Sequence, residues 1–303
     1  MTGNELIALI SENFNTLISA IGPIAGAVFT AIFLRHNIAT EEFEKVKAGK
    51  LGEVAEDLLK SGKMTYTEYY KANNFLRIVE KADKEYSKNP HVEGEKTYNF
   101  DWFVRFYEAV GNISNEQMQS IWARILAGEI NKPNTYSLRT IEVLKNLSQQ
   151  EAELFAKICS HCICTGQQSF LPHYDKYLEA CQITFGEILY LSELGLISSD
   201  SMLVLKMPID MTPRILFVNR ELLITASATD ENNKMFEVRQ FPLTGVGIEL
   251  STLVAESTTD DDFITFAEEI NTNPSTNVAL HRIVSIEGDE IKYNNTNLLN
   301  EEV

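Results

Sequence analysis

The chain has 303 residues, of which 44% are apolar and 23% are charged, as in a folded globular protein. Its net charge of −17 argues against a protein that grips nucleic acid through the phosphates, because such binding needs a basic surface. Four cysteines are too few for a disulfide scaffold of this length and fit a reducing compartment. The length predicts two compact regions beside an N-terminal segment.

That N-terminal segment, residues 13–34, contains no charged side chain. About 20 apolar residues are what a helix needs to cross a bilayer core. Acidic residues precede the segment, whereas Arg35 and several lysines follow it, so the positive-inside rule places the rest of the chain in the cytoplasm. The segment therefore predicts an inner-membrane helix carrying a cytoplasmic body.

Two other interpretations of this segment stay open. A long helix can also be apolar all round when it is buried in the core of an oligomer, and Asn15, Thr16 and Ser19 make the run only moderately hydrophobic. The protein would then be cytoplasmic. A signal peptide is the least favoured interpretation, because Glu5 and Glu12 stand where a basic region would be.

Small residues give the segment a ridge for close helix approach. Gly22, Gly26 and Thr30 recur at intervals of four, and such ridges let apolar helices pack closely in lipid or in protein. Ile24 and Val28 are the apolar positions at which an arginine would most directly oppose insertion into a bilayer. We therefore expect a homo-oligomer.

The region after the segment predicts a helical bundle. Four capping-box patterns begin at Thr65, Ser114, Ser148 and Thr184. Together with other start and stop signals they predict helices at 41–60, 66–88, 101–111, 115–130, 138–146, 149–164 and 185–194.

Two tryptophans mark the predicted core of this bundle. Trp122 belongs to an apolar stripe with the three-and-four spacing of a buried helix face, and it is expected to pack with Leu126 and Ile141. Trp102 opens a dense aromatic cluster, which more often forms a core than a ligand site.

The pattern of residue types changes after Gly195 from helical to strand-like. Segments 202–209, 214–227 and 235–243 are rich in β-branched and aromatic residues and predict an antiparallel meander. Further helices are expected at about 245–255 and 260–270, and a hairpin at 278–294. A helix ending at Gly195 before strands resembles the winged-helix pattern.

The predicted fold is therefore α+β and mostly α, in three parts. Residues 1–40 form the apolar N-terminal helix, 41–147 the helical bundle and 148–303 a winged-helix-like region with antiparallel strands.

A search for catalytic motifs finds no phosphate loop, nucleophile elbow, zinc-protease helix or dinucleotide fingerprint. The histidines are scattered, and the acidic run at 260–262 is explained by a helix N-terminus. A zinc site is suggested by the spacing of Cys159, His161, Cys162 and Cys164. A structural zinc site normally needs a second ligand pair, which is missing here. We therefore favour the interpretation that these cysteines are reduced and pack as small apolar side chains. We expect no catalytic residues, no cofactor and no metal.

The stretch from Asp101 to Phe155 resembles an uncharacterised bacterial domain family and is also similar to the Abi-alpha predicted abortive-infection proteins. The resemblance spans about residues 60–200. Trp122, Ala123 and Ala127 recur in it at a fixed distance from Arg139 and Thr140. The segments 194–197 and 243–250 also look like the family.

The resemblance implies a bacterial anti-phage setting and supplies no catalytic residues. The sequence thus predicts a non-enzymatic abortive-infection protein that acts through a membrane-directed N-terminal helix. The expected partners are a second copy of the chain, the inner membrane and a phage or host protein trigger, but not nucleic acid. The alternatives are a soluble homo-oligomeric sensor module with that helix in its core and, third, an enzyme with an unrecognised site.

Overall fold

The computed structural model describes residues 56–57, 59–62, 64–86, 88, 99–166, 168–231, 234–254, 258–288 and 290–300. The predicted apolar helix at 13–34, with Gly22, Ile24, Gly26, Val28 and Thr30, lies outside these residues, as does most of the predicted helix at 41–60. None of the helices in the described ranges combines the length and the apolar character that a membrane span requires.

Helix accounts for 48% of the described residues and strand for 23%, which confirms the predicted α+β class with more helix than strand. The chain separates after Asn146 into two compact units, beside the predicted boundary. Each unit has its own core and is described by itself.

The described part of the first unit contains four longer α-helices. They are α1 (Tyr66–Tyr86), α2 (Phe100–Val110), α3 (Glu116–Asn131) and α4 (Leu138–Asn146). Asn99 caps α2, and Asn115, not the predicted Ser114, caps α3. The Oδ1 atom of Asn115 accepts from the Met118 amide at 3.0 Å, which satisfies one of the donors that a helix start leaves open.

Aromatic side chains fill the core between α2 and α3. The Trp102 ring stacks on Phe106 with centroids 5.1 Å apart, and Phe106 meets the Trp122 ring edge-on at 5.5 Å. Trp122, Leu126 and Ile141 are all buried. The three-and-four spacing of α3 thus packs its apolar stripe into the bundle.

The second unit has five α-helices and eight strands in its described residues. The helices are α5 (Gln149–Cys159), α6 (Asp175–Ala180), α7 (Phe185–Glu193), α8 (Gly245–Ser251) and α9 (Asp260–Ile270). The strands are β1 (Ile163–Thr165), β2 (Gln168–Pro172), β3 (Val204–Pro208), β4 (Arg214–Asn219), β5 (Leu222–Ala228), β6 (Met235–Pro242), β7 (Thr276–Glu287) and β8 (Glu290–Tyr293).

The helix predicted to run through Cys164 ends earlier, at Cys159. Ile163–Thr165 instead pairs with β2 as a hairpin, and Gly166 takes a positive φ of 58° in the turn. An apolar run of this length suits either helix or strand, and the turn glycine, which adopts positive φ without strain, favours the hairpin.

One sheet of this unit has the winged-helix arrangement. Its strand order is β1-β2-β6-β3, all antiparallel, and the elements follow the chain as α5, β2, α6, α7, β3 and β6. The helix pair α6–α7 therefore takes the place of a helix-turn-helix. The loop between β3 and β6, where a wing would project, contains the hairpin β4–β5.

That hairpin belongs to a second antiparallel sheet, of order β4-β5-β7-β8. The predicted meander over 202–243 is therefore wrong, since the three segments divide between two sheets. The middle segment turns back at Arg220, whose φ is 49°. All seven residues of β5 are buried, and each pairs with a residue of β7.

The segments 194–197 and 243–250, which resemble the family, contact each other in this unit. Ile197 forms a bridge with Leu243, and the Thr244 hydroxyl donates to the Gly195 carbonyl at 2.6 Å. Gly247, in the first turn of α8, lies so close to the Leu196 carbonyl oxygen that a Cβ atom would overlap it. These segments therefore fix how α8 approaches the end of α7.

Candidate functional site

The family motif of the first unit builds its core. Trp102 is buried and donates from Nε1 to the Tyr136 carbonyl at 2.8 Å, whereas Arg139 is exposed in the first turn of α4. The Glu129 carboxylate, which is 2% exposed, accepts from the backbone amides of residues 134–136 at 2.7, 3.0 and 3.1 Å. A carboxylate used in this way holds the α3–α4 turn and is not available for chemistry.

The second unit presents an apolar helix face to solvent. Phe185, Leu189 and Tyr190 of α7 are 52%, 44% and 44% exposed, while Ile188 and Leu191 on the opposite side are buried. The Thr184 and Glu187 side chains form a capping box that starts the helix. The exposed face is thus held on a well-anchored helix.

The charge of the α6–α7 pair is acidic. Over residues 175–193 the only cation is Lys176, against the carboxylates of Asp175, Glu179, Glu187 and Glu193. A helix that reads DNA depends on Arg and Lys for the phosphates and for guanine. The helix pair of this winged-helix arrangement is therefore mainly acidic.

Three polar side chains from distant positions converge beside this helix pair. His161 follows α5, Cys181 ends α6, and Asp262 lies in the first turn of α9. The His161 Nδ1 and Asp262 Oδ2 atoms are 2.9 Å apart, and the Cys181 thiol donates to Asp262 Oδ1 at 3.6 Å. Within the described ranges, this is the only group of three His, Cys, Asp or Glu ligand atoms that come within 4.8 Å of one another.

We call this group the His161–Cys181–Asp262 cluster. Its environment disfavours Cys181 as a nucleophile. Burial, and next the charge of Asp262, raises the pKa of the Cys181 thiol to about 12. A reactive cysteine needs the opposite environment, because the thiolate is the nucleophile. The cluster offers one nitrogen, one sulfur and one oxygen donor within 4.8 Å of one another, and each is a donor type that zinc binds in proteins.

Sequence reasoning missed this cluster because His161 and Asp262 are 101 residues apart. The local acidic run at 260–262 and the nearby cysteines each had a simpler explanation. The packing of α6 against α9 brings Cys181 to Asp262, and the hydrogen bond from Tyr177 of α6 to the His161 carbonyl holds His161 beside them. Only the local position of Asp262 could have been predicted, since it is the third helical residue of a capping box with Thr259.

The three neighbouring cysteines do not form a ligand group of their own. Cys159 and Cys162 are buried, Cys164 is exposed, and burial raises the pKa of both buried thiols. The Cys162 thiol donates to the Ile158 carbonyl at 3.4 Å. All three line a cavity of about 170 Å³ with Ser169 and other residues of this unit, so they pack as small side chains around a space.

Two other histidines of this unit have structural settings. His281 is 6% exposed, with Nε2 3.0 Å from the Thr225 hydroxyl and Nδ1 3.1 Å from the Thr296 carbonyl. The His173 ring lies 4.3 Å from the Phe241 ring, and burial is the main cause that lowers its pKa.

The fold and these features define a two-unit α+β protein with a helical first unit and a winged-helix-like second unit. A family model described as "Protein of unknown function (DUF2806)" matches residues 61–267, and the chain belongs to that family. No curated protein and no solved structure matches the chain.

Proposed function

We propose that this protein is a non-enzymatic bacterial defence protein whose second unit binds another protein through the outer face of α7. The observation that carries the proposal is the exposure of Phe185, Leu189 and Tyr190 on one helix. In a DNA-binding winged helix this is the position of the helix that enters the major groove. Clustered apolar side chains at such a place are typical of a protein-binding surface.

The charge of the same helix pair selects the kind of partner. Glu187 is half-buried and pairs with Lys157 at 2.9 Å, but Glu193 is exposed at the end of the helix. A protein segment that presents apolar side chains flanked by Lys or Arg complements this surface. We propose such a segment, on a phage or host protein, as the trigger.

The defence setting is supported by the sequence resemblance to abortive-infection proteins. The proposed action is supported by residues 13–34, whose uncharged run fits a bilayer. Binding of the trigger at α7 would then release or assemble these N-terminal segments at the inner membrane. The second candidate is a soluble homo-oligomer with the segments in its core, favoured by the ridge of Gly22, Gly26 and Thr30. An enzyme with an unrecognised site is third.

The α7 surface is tested by replacing Phe185 and Leu189 together with Asp in the full chain. Both side chains are exposed, so the fold should remain, while loss of a central apolar anchor should weaken trigger binding about 30-fold or more. Phage protection in cells is measured at equal protein abundance. Met202→Asp, at a position 82% exposed outside α7, is the matched control and should protect like wild type.

Equal protection by the α7 variant and the wild type would contradict the proposed surface. Specific binding of duplex DNA near or below micromolar Kd at physiological salt would contradict the assignment to a protein partner.

The N-terminal action is tested by expressing the chain with and without residues 1–36. The membrane proposal predicts that the full chain sediments with membranes, that the shorter chain is soluble and folded, and that only the full chain depolarises infected cells. A soluble full chain whose oligomer breaks on Gly22→Leu with Gly26→Leu would support the second candidate instead.

A further inference from the structure

We propose that the His161–Cys181–Asp262 cluster is a zinc site with three protein ligands. The three donor atoms come within 4.8 Å of one another, and a tetrahedral zinc ion with bonds of about 2.0–2.3 Å separates its ligands by roughly 3.3–3.8 Å. The His161 Nδ1 atom lies 2.9 Å from Oδ2 of Asp262, and the Cys181 Sγ atom lies 3.6 Å from Oδ1. The sulfur–oxygen distance falls within that range, and the nitrogen–oxygen distance lies below it. This proposal is independent of the protein-binding function and departs from the sequence expectation of no metal.

The donor types select the metal. Thiolate, imidazole and carboxylate together favour zinc over magnesium or calcium, which prefer oxygen donors. When zinc binds, the Cys181 thiol must release its proton to solvent. The resulting thiolate and the Asp262 carboxylate carry two negative charges, which one divalent cation neutralises, and a neutral imidazole completes the set. The site would thus bring no net charge into the second unit.

The backbone around the cluster is already held in place. The buried Tyr177 hydroxyl donates to the His161 carbonyl at 2.7 Å, and Thr259 and Asp262 form a reciprocal cap at the start of α9. Such supporting hydrogen bonds orient metal ligands before the ion binds. The three ligands therefore come from segments that the fold has already fixed.

Access to the cluster fits a site with one open position. Cys181 is buried, but the side chains of His161 and Asp262 keep 21% and 12% exposure. A zinc ion with three protein ligands takes water or an exogenous donor as its fourth ligand. The ion would connect the ends of α5 and α6 to the start of α9, so its main consequence is to fasten the α6–α7 pair to the rest of the unit.

The test measures zinc and cobalt binding by the full chain in mild detergent after treatment with a chelator. We expect one equivalent of zinc with a Kd of about 1 µM or tighter, a rise in melting temperature on zinc addition, and a thiolate-to-cobalt charge-transfer band. Cys181→Ser and Asp262→Asn should each weaken binding by at least 10–100-fold, with the far-ultraviolet circular dichroism unchanged.

Two matched variants separate ligand loss from general damage. Cys159→Ser alters another buried cysteine, and Asp261→Asn removes the same charge from the same turn of α9 at an exposed position; both should bind zinc like wild type. The cobalt band shows only that a thiolate is a ligand, because the chain has four free cysteines. Its retention in a variant with serine at Cys159, Cys162 and Cys164 would assign it to Cys181 even if Cys181→Ser fails to fold. Absence of zinc binding at 100-fold the expected Kd, a cobalt complex without the thiolate band, or equal affinity in folded Cys181→Ser would each overturn the proposal.

Discussion

The two units of this protein place their polar side chains in opposite ways. In the first unit, the buried Glu129 carboxylate accepts hydrogen bonds from three backbone amides, and the Trp102 indole N–H donates to a backbone carbonyl. In the second unit, the side chains of the His161–Cys181–Asp262 cluster bond to one another, and those of His161 and Asp262 keep partial access to solvent. The recognisable family motif of the first unit therefore reports how that unit folds, and the candidates for function lie in the second.

The comparison also shows why a motif and a site need not coincide. A tryptophan and two alanines at helical spacing are readily recognised because one helix contains them all. A cluster drawn from three separate elements leaves no such local pattern. In this protein the recognisable sequence motif lies in the core of the first unit, whereas the candidate metal site has no recognisable motif.

Of the variants considered, Trp122→Ala should destabilise the protein most, and it tests whether the first-unit motif serves folding alone. Trp122 is fully buried, so the cavity should lower the free energy of unfolding by about 3–5 kcal/mol, measured by urea denaturation. Trp122→Phe should cost much less, because the Trp122 Nε1 has no hydrogen-bond partner among the described residues. If Trp122→Phe stays stable and yet loses phage protection, the first unit has a function beyond folding and the comparison fails.

A pair of glycines in α8 gives an intermediate effect in the second unit. Gly247→Ala should destabilise by about 1–3 kcal/mol, because its Cβ would overlap the Leu196 carbonyl oxygen. Gly245→Ala, two residues earlier with nothing within 4 Å of its Cβ, should be neutral or stabilise by up to about 1 kcal/mol. Thermal unfolding of both variants measures the difference. Similar melting temperatures for the two would show that α8 shifts freely, and that this motif segment is not a packing constraint.

A weaker and pH-dependent contribution to the free energy of unfolding is expected from Glu187. Burial raises the pKa of the Glu187 carboxyl, but hydrogen bonds from Thr184 and the Lys157 ammonium outweigh it and hold the pKa below its ordinary value. The resulting stability is present above the unfolded-state pKa, about 4.3, and is lost as the pH falls through the folded-state pKa. Glu187→Gln keeps the cap and should cost about 0.5–1 kcal/mol at pH 7, and less as the pH falls below 4.

The control for this prediction is Glu193→Gln, at an exposed position of the same helix, which should change stability by less than about 0.5 kcal/mol at any pH. A Glu187→Gln difference that grows on acidification would mean that burial, and not hydrogen bonding, governs this carboxyl group.

Local patterns predicted much of this fold. The caps at Ser148 and Thr184 and the buried stripe of α3 follow from residues within one helical turn or two, and the structure contains them. The error at 149–164 arose because an apolar run with cysteines fits a helix and a strand equally well. The six-residue helix α6 was missed because it is too short to show a period.

The candidate sites were less accessible to sequence reasoning. The α7 face was foreseeable as part of a winged-helix-like region, but which of its sides faces solvent depends on how α5 and the first sheet pack against it. The His161–Cys181–Asp262 cluster depends on the contact between α6 and α9, which no spacing along the chain encodes.

The buried strand β5 has a consequence for how the family domain can be produced in isolation. The family match ends at residue 267, whereas every residue of β5 pairs with β7, which begins at Thr276. A fragment cut at the family boundary would keep β5 with β4 on one side and lose β7 on the other. It would then present seven residues of unpaired, apolar strand edge, which is a template for aggregation. Expression trials that include β7 should therefore give monodisperse material, whereas fragments ending near residue 267 should form inclusion bodies.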